Sequence, residues 1–65
     1  MKVKIKRLGH KVKVLDVKNN TRIKTLLKKL RINPEVVLVR IKGKVMPLEN
    51  KISNEVEIID VVSGG

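Results

Sequence analysis

Several residue types that small proteins often use for stability or chemistry are missing from this 65-residue chain. There is no cysteine, which excludes disulfides, thiol nucleophiles and cysteine-ligated zinc. The single histidine, His10, cannot form a metal site alone. We therefore expect no bound metal and no bound cofactor. A chain this short must depend on close packing of aliphatic side chains, of which Val, Ile and Leu are abundant.

Aromatic residues are also absent, although the formal net charge is +10. Lys and Arg side chains could contact the phosphates of a nucleic acid. However, modules that bind single strands stack the bases on Phe, Tyr or Trp. Nucleic-acid binding is therefore the most distant function that we consider, and a solvated basic surface explains the charge more simply. All 16 Lys and Arg lie in residues 1–51, whereas residues 52–65 carry three acids and no base.

Long hydrophobic runs are lacking as well. The longest, residues 36–39, is far shorter than the ~20 apolar residues that a membrane helix requires. The N-terminal residues alternate between charged and apolar and do not resemble a signal peptide. We therefore expect a cytoplasmic protein without a membrane partner.

A catalytic set is not recognisable in the sequence. The only serines are Ser53 and Ser63, and the six acids are scattered without an evident pair. No Gly-rich phosphate-binding loop is present. The sequence therefore predicts a protein that is not an enzyme and has no intrinsic catalytic residue.

The first part of the chain has the pattern of a β-hairpin. Residues 2–8 and 11–17 alternate between apolar and charged, as half-buried strands do. A two-residue turn at Gly9-His10 would set Ile5 opposite Val14. It would also set Val3 opposite Asp16, so we expect a bulge near residues 15–16 that brings Val17 to Val3. Most of the hairpin lysines are expected on the face opposite the core; these lysines are Lys2, Lys4, Lys6, Lys11 and Lys13.

A short amphipathic helix follows. Ile23, Leu26, Leu27 and Leu30 recur at helical spacing and form one apolar stripe. Thr21 is the expected N-cap, and residues 33–34 (Asn-Pro) are expected to end the helix.

The remaining residues predict further strands. Residues 36–41 form one strand, residues 45–48 an edge or loop segment that contains Pro47, and residues 56–62 the last strand. A single helix stripe must pack on the apolar face of a sheet. The sequence thus predicts an α+β roll with a mixed sheet of four to five strands, forming one domain over residues 1–65.

The chain ends on Ser63, Gly64 and Gly65 directly after the last apolar run. Glycines lack Cβ atoms, so a flexible tail of residues 63–65 could enter a channel too narrow for other residues. A frayed end is the simpler explanation of two glycines. Next to a buried strand, however, the tail would be held at a fixed place on a rigid body.

The whole chain resembles the β-grasp sulfur carriers, the ThiS/MoaD group of ubiquitin-like proteins. The similarity lies in the Thr21 to Leu27 helix opening, the Val45 to Glu49 segment, and residues 55–65 with their Gly-Gly end. In length and tail the chain is closer to the thiamine carrier ThiS than to MoaD. It departs from the family at Lys42, where many members have Asn, and at Ser53-Asn54, where Gly-Asp is usual.

This resemblance implies a specific chemistry. An adenylating enzyme similar to ThiF or MoeB would use ATP and Mg²⁺ to activate the Gly65 carboxylate. A persulfide donor would then convert it to a thiocarboxylate, and a sulfur-accepting synthase would use the sulfur for thiamine, molybdopterin or tRNA thiolation. Gly64, Ser63 and Val62 would thread the active site of the partner.

Two further expectations accompany this hypothesis. The exposed sheet face would dock the partner, and Lys4, Lys6 and Lys13 would steer the carrier towards an acidic surface. A ubiquitin-like modifier, joined through Gly65 to a lysine of a target protein, is the close alternative because it needs the same tail and the same activation.

Overall fold

One helix packs across one face of a five-stranded mixed sheet in the computed structural model, which describes residues 1–61. The strands are β1 (Lys2–Arg7), β2 (Lys13–Asp16), β3 (Val37–Ile41), β4 (Lys44–Val45) and β5 (Glu55–Asp60). The helix α1 spans Ile23–Lys29, and a 3₁₀ turn spans Pro34–Val36. This architecture confirms the predicted α+β roll.

The sheet order is β2-β1-β5-β3-β4. The two central strands, β1 and β5, are parallel, whereas every other pair is antiparallel. β1 and β5 therefore run in the same direction, and their C-terminal ends lie at the same edge of the sheet. The last strand of the chain, β5, lies in the middle of the sheet.

The core lies between the helix and one face of the sheet. Ile23, Leu26 and Leu27 supply the helix stripe, and all three are buried. The sheet contributes alternate residues from its strands, as the period of a half-buried strand requires. The buried apolar residues of the sheet are Val3, Ile5, Val37, Val39, Ile41, Val56 and Ile58.

The hairpin register differs from the sequence prediction by one residue. Val3 pairs with Leu15 and Ile5 with Lys13, so the predicted pairing of Ile5 with Val14 and the predicted bulge are both wrong. The connecting loop spans residues 8–12 rather than two residues, and begins with a turn closed by His10 N–H donating to Arg7 O at 3.0 Å. Gly9 takes the third turn position with φ +82°, a conformation that glycine adopts without strain.

This shift has consequences for the faces of β2. Moving a strand by one residue exchanges all its inward and outward side chains. Leu15 joins the helix side, whereas Val14 faces outward and is 59% exposed. Lys13 also lies on the helix side of the sheet, opposite to the position predicted for it.

The helix start also differs from the prediction. Arg22 is the N-cap residue, and no side chain caps the helix. The Thr21 hydroxyl donates instead to Lys18 O at 2.7 Å. The helix N–H groups of Ile23 and Lys24 donate to the carbonyls of Asn50 and Leu48, at 2.9 and 3.0 Å. A loop distant in sequence therefore replaces the predicted Thr21 cap, which local sequence could not show.

The helix ends earlier than the predicted residues 33–34. Arg31 adopts a left-handed conformation with φ 57°, and its N–H donates to Lys28 O at 3.0 Å. Ile32 N–H donates to Leu27 O at 2.9 Å, which completes a Schellman motif. The motif usually has glycine where Arg31 stands, so nothing in the amino-acid types signalled it.

Candidate functional site

The end of β5 fixes the point from which the C-terminal tail begins. β5 pairs with β1 on one side and β3 on the other, and it ends at Asp60 rather than continuing to residue 62. Val61 N–H donates to Val36 O at 2.9 Å. The four tail residues predicted to act, Val62, Ser63, Gly64 and Gly65, lie outside the described residues. Their attachment point is thus a strand that is hydrogen-bonded on both sides.

A bidentate ion pair joins the ends of the two central strands. Arg7 Nε and Nη2 donate to the two carboxylate oxygens of Asp60 at 3.1 and 2.6 Å. The hydrogen bond from Arg7 is the main cause that lowers the pKa of Asp60, against a smaller opposing effect of desolvation. The same bond raises the pKa of Arg7. Because 53 residues separate the two partners, the pair ties the last residue of β5 to the beginning of the chain.

The face of the sheet opposite the helix is open, and its charges are nearly balanced. The strand residues on this face include four basic and three acidic side chains, listed here: Lys2, Lys4, Lys6, Arg40, Asp16, Glu55 and Glu57. Lys6 Nζ lies 3.3 Å from Glu55 Oε1, and Arg40 Nε lies 2.6 Å from Glu57 Oε1.

Apolar side chains accompany these ion pairs. Leu38 lies opposite Ile59 on the open face, and Val45 lies beside Arg40. Leu38 and Val45 are 41% and 55% exposed. The patch of Leu38, Val45 and Ile59 begins next to the end of β5, so the open face offers apolar contact beside the start of the tail.

The three lysines predicted to steer a partner do not share one surface. Lys4 and Lys6 lie on the open face, where Lys6 is paired with Glu55. Lys13 is paired with Ile5 and lies on the helix side. Lys13 therefore does not follow the expectation that the hairpin lysines lie mostly opposite the core, because of the register shift in the hairpin.

Arg7 was not among the predicted site residues. The alternating pattern places it on the core face of β1, but its partner Asp60 could not be inferred without the parallel pairing of β1 with β5. Leu38 was likewise missed, because a nearly continuous apolar run does not indicate which residues face outward. Val45 was missed because it lies in a short segment predicted as an edge or loop.

Within residues 1–61, no group of three or more His, Asp or Glu side chains could hold a metal ion. No helix in this part of the chain is long and apolar enough to cross a membrane.

Comparisons with known proteins identify the fold. No protein-family model matches the chain, and no curated protein sequence matches it. Among solved structures, the chain is similar to the ubiquitin of Caldiarchaeum subterraneum, with a TM-score of 0.80. The match covers 100% of this chain and 98% of that one, at 19% sequence identity.

This similarity shows a ubiquitin-like β-grasp fold, as the resemblance to the sulfur carriers implied, but it does not single out ThiS or MoaD.

Proposed function

We propose that this chain is a sulfur carrier whose Gly65 carboxylate is activated by a partner enzyme and converted to a thiocarboxylate. The observation that carries the proposal is the placement of β5. The strand is paired on both sides, Asp60 is held by Arg7, and five residues, Val61 to Gly65, follow it. A carboxylate at Gly65 is therefore attached to a rigid body through a short segment that ends in three small residues.

The chemistry proceeds in two stages and needs no catalytic group of this chain. A Gly65 carboxylate oxygen attacks the α-phosphorus of ATP in the partner, pyrophosphate leaves, and an acyl-adenylate forms. The terminal sulfur of a persulfide then attacks the carbonyl carbon and AMP leaves. A second thiol reduces the resulting acyl disulfide, which leaves a thiocarboxylate on Gly65 and a disulfide on the donor.

The open face supports the docking part of the proposal. The patch of Leu38, Val45 and Ile59 could be covered by the adenylating enzyme, while the balanced ion pairs around it would remain at the rim. Gly64, Ser63 and Val62 would then enter the active site of the partner, with ATP and Mg²⁺ bound by that partner.

The test is the intact mass of the chain after incubation with extract of its source cells, ATP-Mg²⁺ and a sulfur donor. A mass gain equal to one oxygen replaced by one sulfur supports the proposal if deletion of Gly65 abolishes it. Attachment of the chain to lysines of other proteins would instead support the modifier alternative. No change, in an extract with an active adenylating enzyme, would contradict both.

A further inference from the structure

A groove of about 240 Å³ lies on the helix side of the sheet, between the loop of residues 8–12 and the end of α1. Ile5 and Ile58 of the two central strands form its floor, and both are buried. Leu30 and Ile32, which flank the left-handed Arg31, form one wall and remain half-buried. The groove therefore contains an apolar surface that is only partly covered by other residues of the protein.

The rim of this groove is basic. It consists of Arg7, His10, Lys11 and Lys13. Arg7 is already matched by Asp60. Lys11 and Lys13 are exposed, and neither forms a salt bridge with any residue in the range 1–61.

The acids of the neighbouring strand β5 are already engaged by other basic side chains. The three acids of β5 are paired with Lys6, Arg40 and Arg7. The last turn of the helix, which leads to the groove, adds Lys28 and Lys29, and the helix carries no acid. Lys11 and Lys13 are therefore not paired with an acid within residues 1–61, and their charge favours an anionic partner.

The combination of an apolar surface and a basic rim distinguishes between two anionic partners. The backbone of a nucleic acid would satisfy Lys11 and Lys13 but would leave Leu30 and Ile32 uncovered. A peptide segment with an aliphatic side chain between carboxylates would satisfy both features, since apolar burial and charge pairing then occur together.

We propose that this groove binds a short acidic segment of a partner protein. An aliphatic side chain of that segment covers Leu30 and Ile32, and carboxylates on either side of it pair with Lys11 and Lys13. The site is on the opposite face of the sheet from the patch of Leu38, Val45 and Ile59. It is also independent of the chemistry at Gly65, so a failure of sulfur transfer would neither support nor contradict binding at the groove.

The probe is a synthetic acetylated and amidated peptide with a Leu-Ile pair between two runs of Asp, titrated into the isotope-labelled full chain. The expected result is a saturable shift of the NMR amide signals of Lys11, Lys13, Leu30 and Ile32. Two control peptides separate the contributions. One replaces the Leu-Ile pair with Ser-Ser, and the other replaces each Asp with Lys. Both are expected to bind at least about tenfold more weakly.

A matched pair of double variants locates the site. Lys11→Gln with Lys13→Gln removes two charges from the groove, whereas Lys2→Gln with Lys4→Gln removes two from the open face. Since all four side chains are exposed, both variants are expected to fold, which an unchanged thermal melt would verify. We expect the groove variant to bind the peptide about tenfold more weakly and the open-face variant to stay within about twofold of the original chain.

Three results would overturn the proposal. Equal weakening by both variants would mean that only net charge matters. Equal binding of the Ser-Ser peptide would mean that Leu30 and Ile32 contribute no contact. Tighter binding of a duplex RNA than of the acidic peptide at the same groove residues and ionic strength would mean that the partner is a nucleic acid.

Discussion

The two faces of the sheet use the same residue types for different purposes. The helix-side face buries Val3, Ile5 and Ile58 beneath α1, and its unmatched lysines gather at the groove rim. On the open face, lysines alternate with glutamates of the neighbouring strand, and apolar side chains remain exposed. Charge is therefore balanced where the sheet meets solvent and unbalanced where the helix meets the hairpin loop.

This difference follows from the composition of the last strand. β5 contributes Glu55 and Glu57 outward and Val56 and Ile58 inward, and as a central strand it places its acids between β1 and β3. Three of the six acids of the chain, Asp16, Glu55 and Glu57, thus lie on the open face. The strand residues of the open face carry four basic and three acidic side chains, so most of the net charge of +10 lies elsewhere in the chain.

The largest expected effect contrasts the core with the open face. Leu27→Ala removes a side chain that is fully buried beneath the sheet, and it should cost about 2–5 kcal/mol of unfolding free energy. A domain of this size has little more than that in total, so the variant could be largely unfolded. Leu38→Ala on the open face should stay within about 0.5 kcal/mol. Urea denaturation of both variants measures the contrast, and similar losses would contradict the assigned faces.

A smaller gain is expected at the end of the helix. Arg31 has a left-handed backbone that costs about 1 kcal/mol for a residue with a Cβ atom. Arg31→Gly should therefore stabilise the protein by about 0.5–1 kcal/mol, seen as a higher urea midpoint. Arg31→Ala is the control, because alanine keeps the Cβ atom and should bring no such gain. A gain of equal size with alanine would point to charge repulsion among the helix lysines instead.

Lys42, in the two-residue turn between β3 and β4, is the other non-glycine residue with a positive φ among the described residues. Lys42 and Gly43 both have positive φ, 52° and 81°, as a type I′ turn requires. Lys42→Asn should increase the free energy of unfolding by about 0.5 kcal/mol, because asparagine tolerates this conformation better. A slightly higher melting temperature would show this gain. Lys42→Ala serves as the control for loss of charge, and it should give no gain.

The smallest effect concerns the ion pair at the ends of the central strands. Because Arg7 lowers the pKa of Asp60, the pair stabilises the fold above the ordinary pKa of an aspartate, and this contribution is lost as the pH falls through the lowered value. Asp60→Asn should therefore be less stable than the original chain near neutral pH, with the difference shrinking in acid. Urea midpoints across this range measure it, and added salt should also reduce the difference because the pair is partly exposed. A difference that grows in acid would contradict the assignment.

The fold was largely predictable because periodicity is a local property. The helix stripe of Ile23, Leu26 and Leu27 and the alternation of Val3 and Ile5 each follow from neighbouring residues. The hairpin register could not be predicted, since it depends on a five-residue loop whose length the sequence does not indicate. Because the predicted register was wrong by one residue, Lys13 was predicted on the wrong face of the sheet.

The candidate site was less accessible to sequence reasoning. The Gly64-Gly65 end was evident, but the partner of Arg7 depends on the parallel pairing of two strands that lie far apart in the chain. The cap of the helix start by Leu48 and Asn50 carbonyls is equally non-local. Both the Arg7–Asp60 pair and the helix cap are contacts between segments distant in the chain, which sequence patterns do not predict.

Sulfur transfer through Gly65 is tested by the intact mass of the chain purified from its source cells under non-reducing, thiol-free conditions. A sulfur carrier should contain a fraction with one sulfur in place of one oxygen, which fragmentation locates at the C-terminal carboxylate of Gly65. A chain recovered only with an unmodified carboxylate, from cells in which the sulfur pathways are active, would contradict it. A chain recovered joined through Gly65 to lysine side chains would replace the carrier with a modifier.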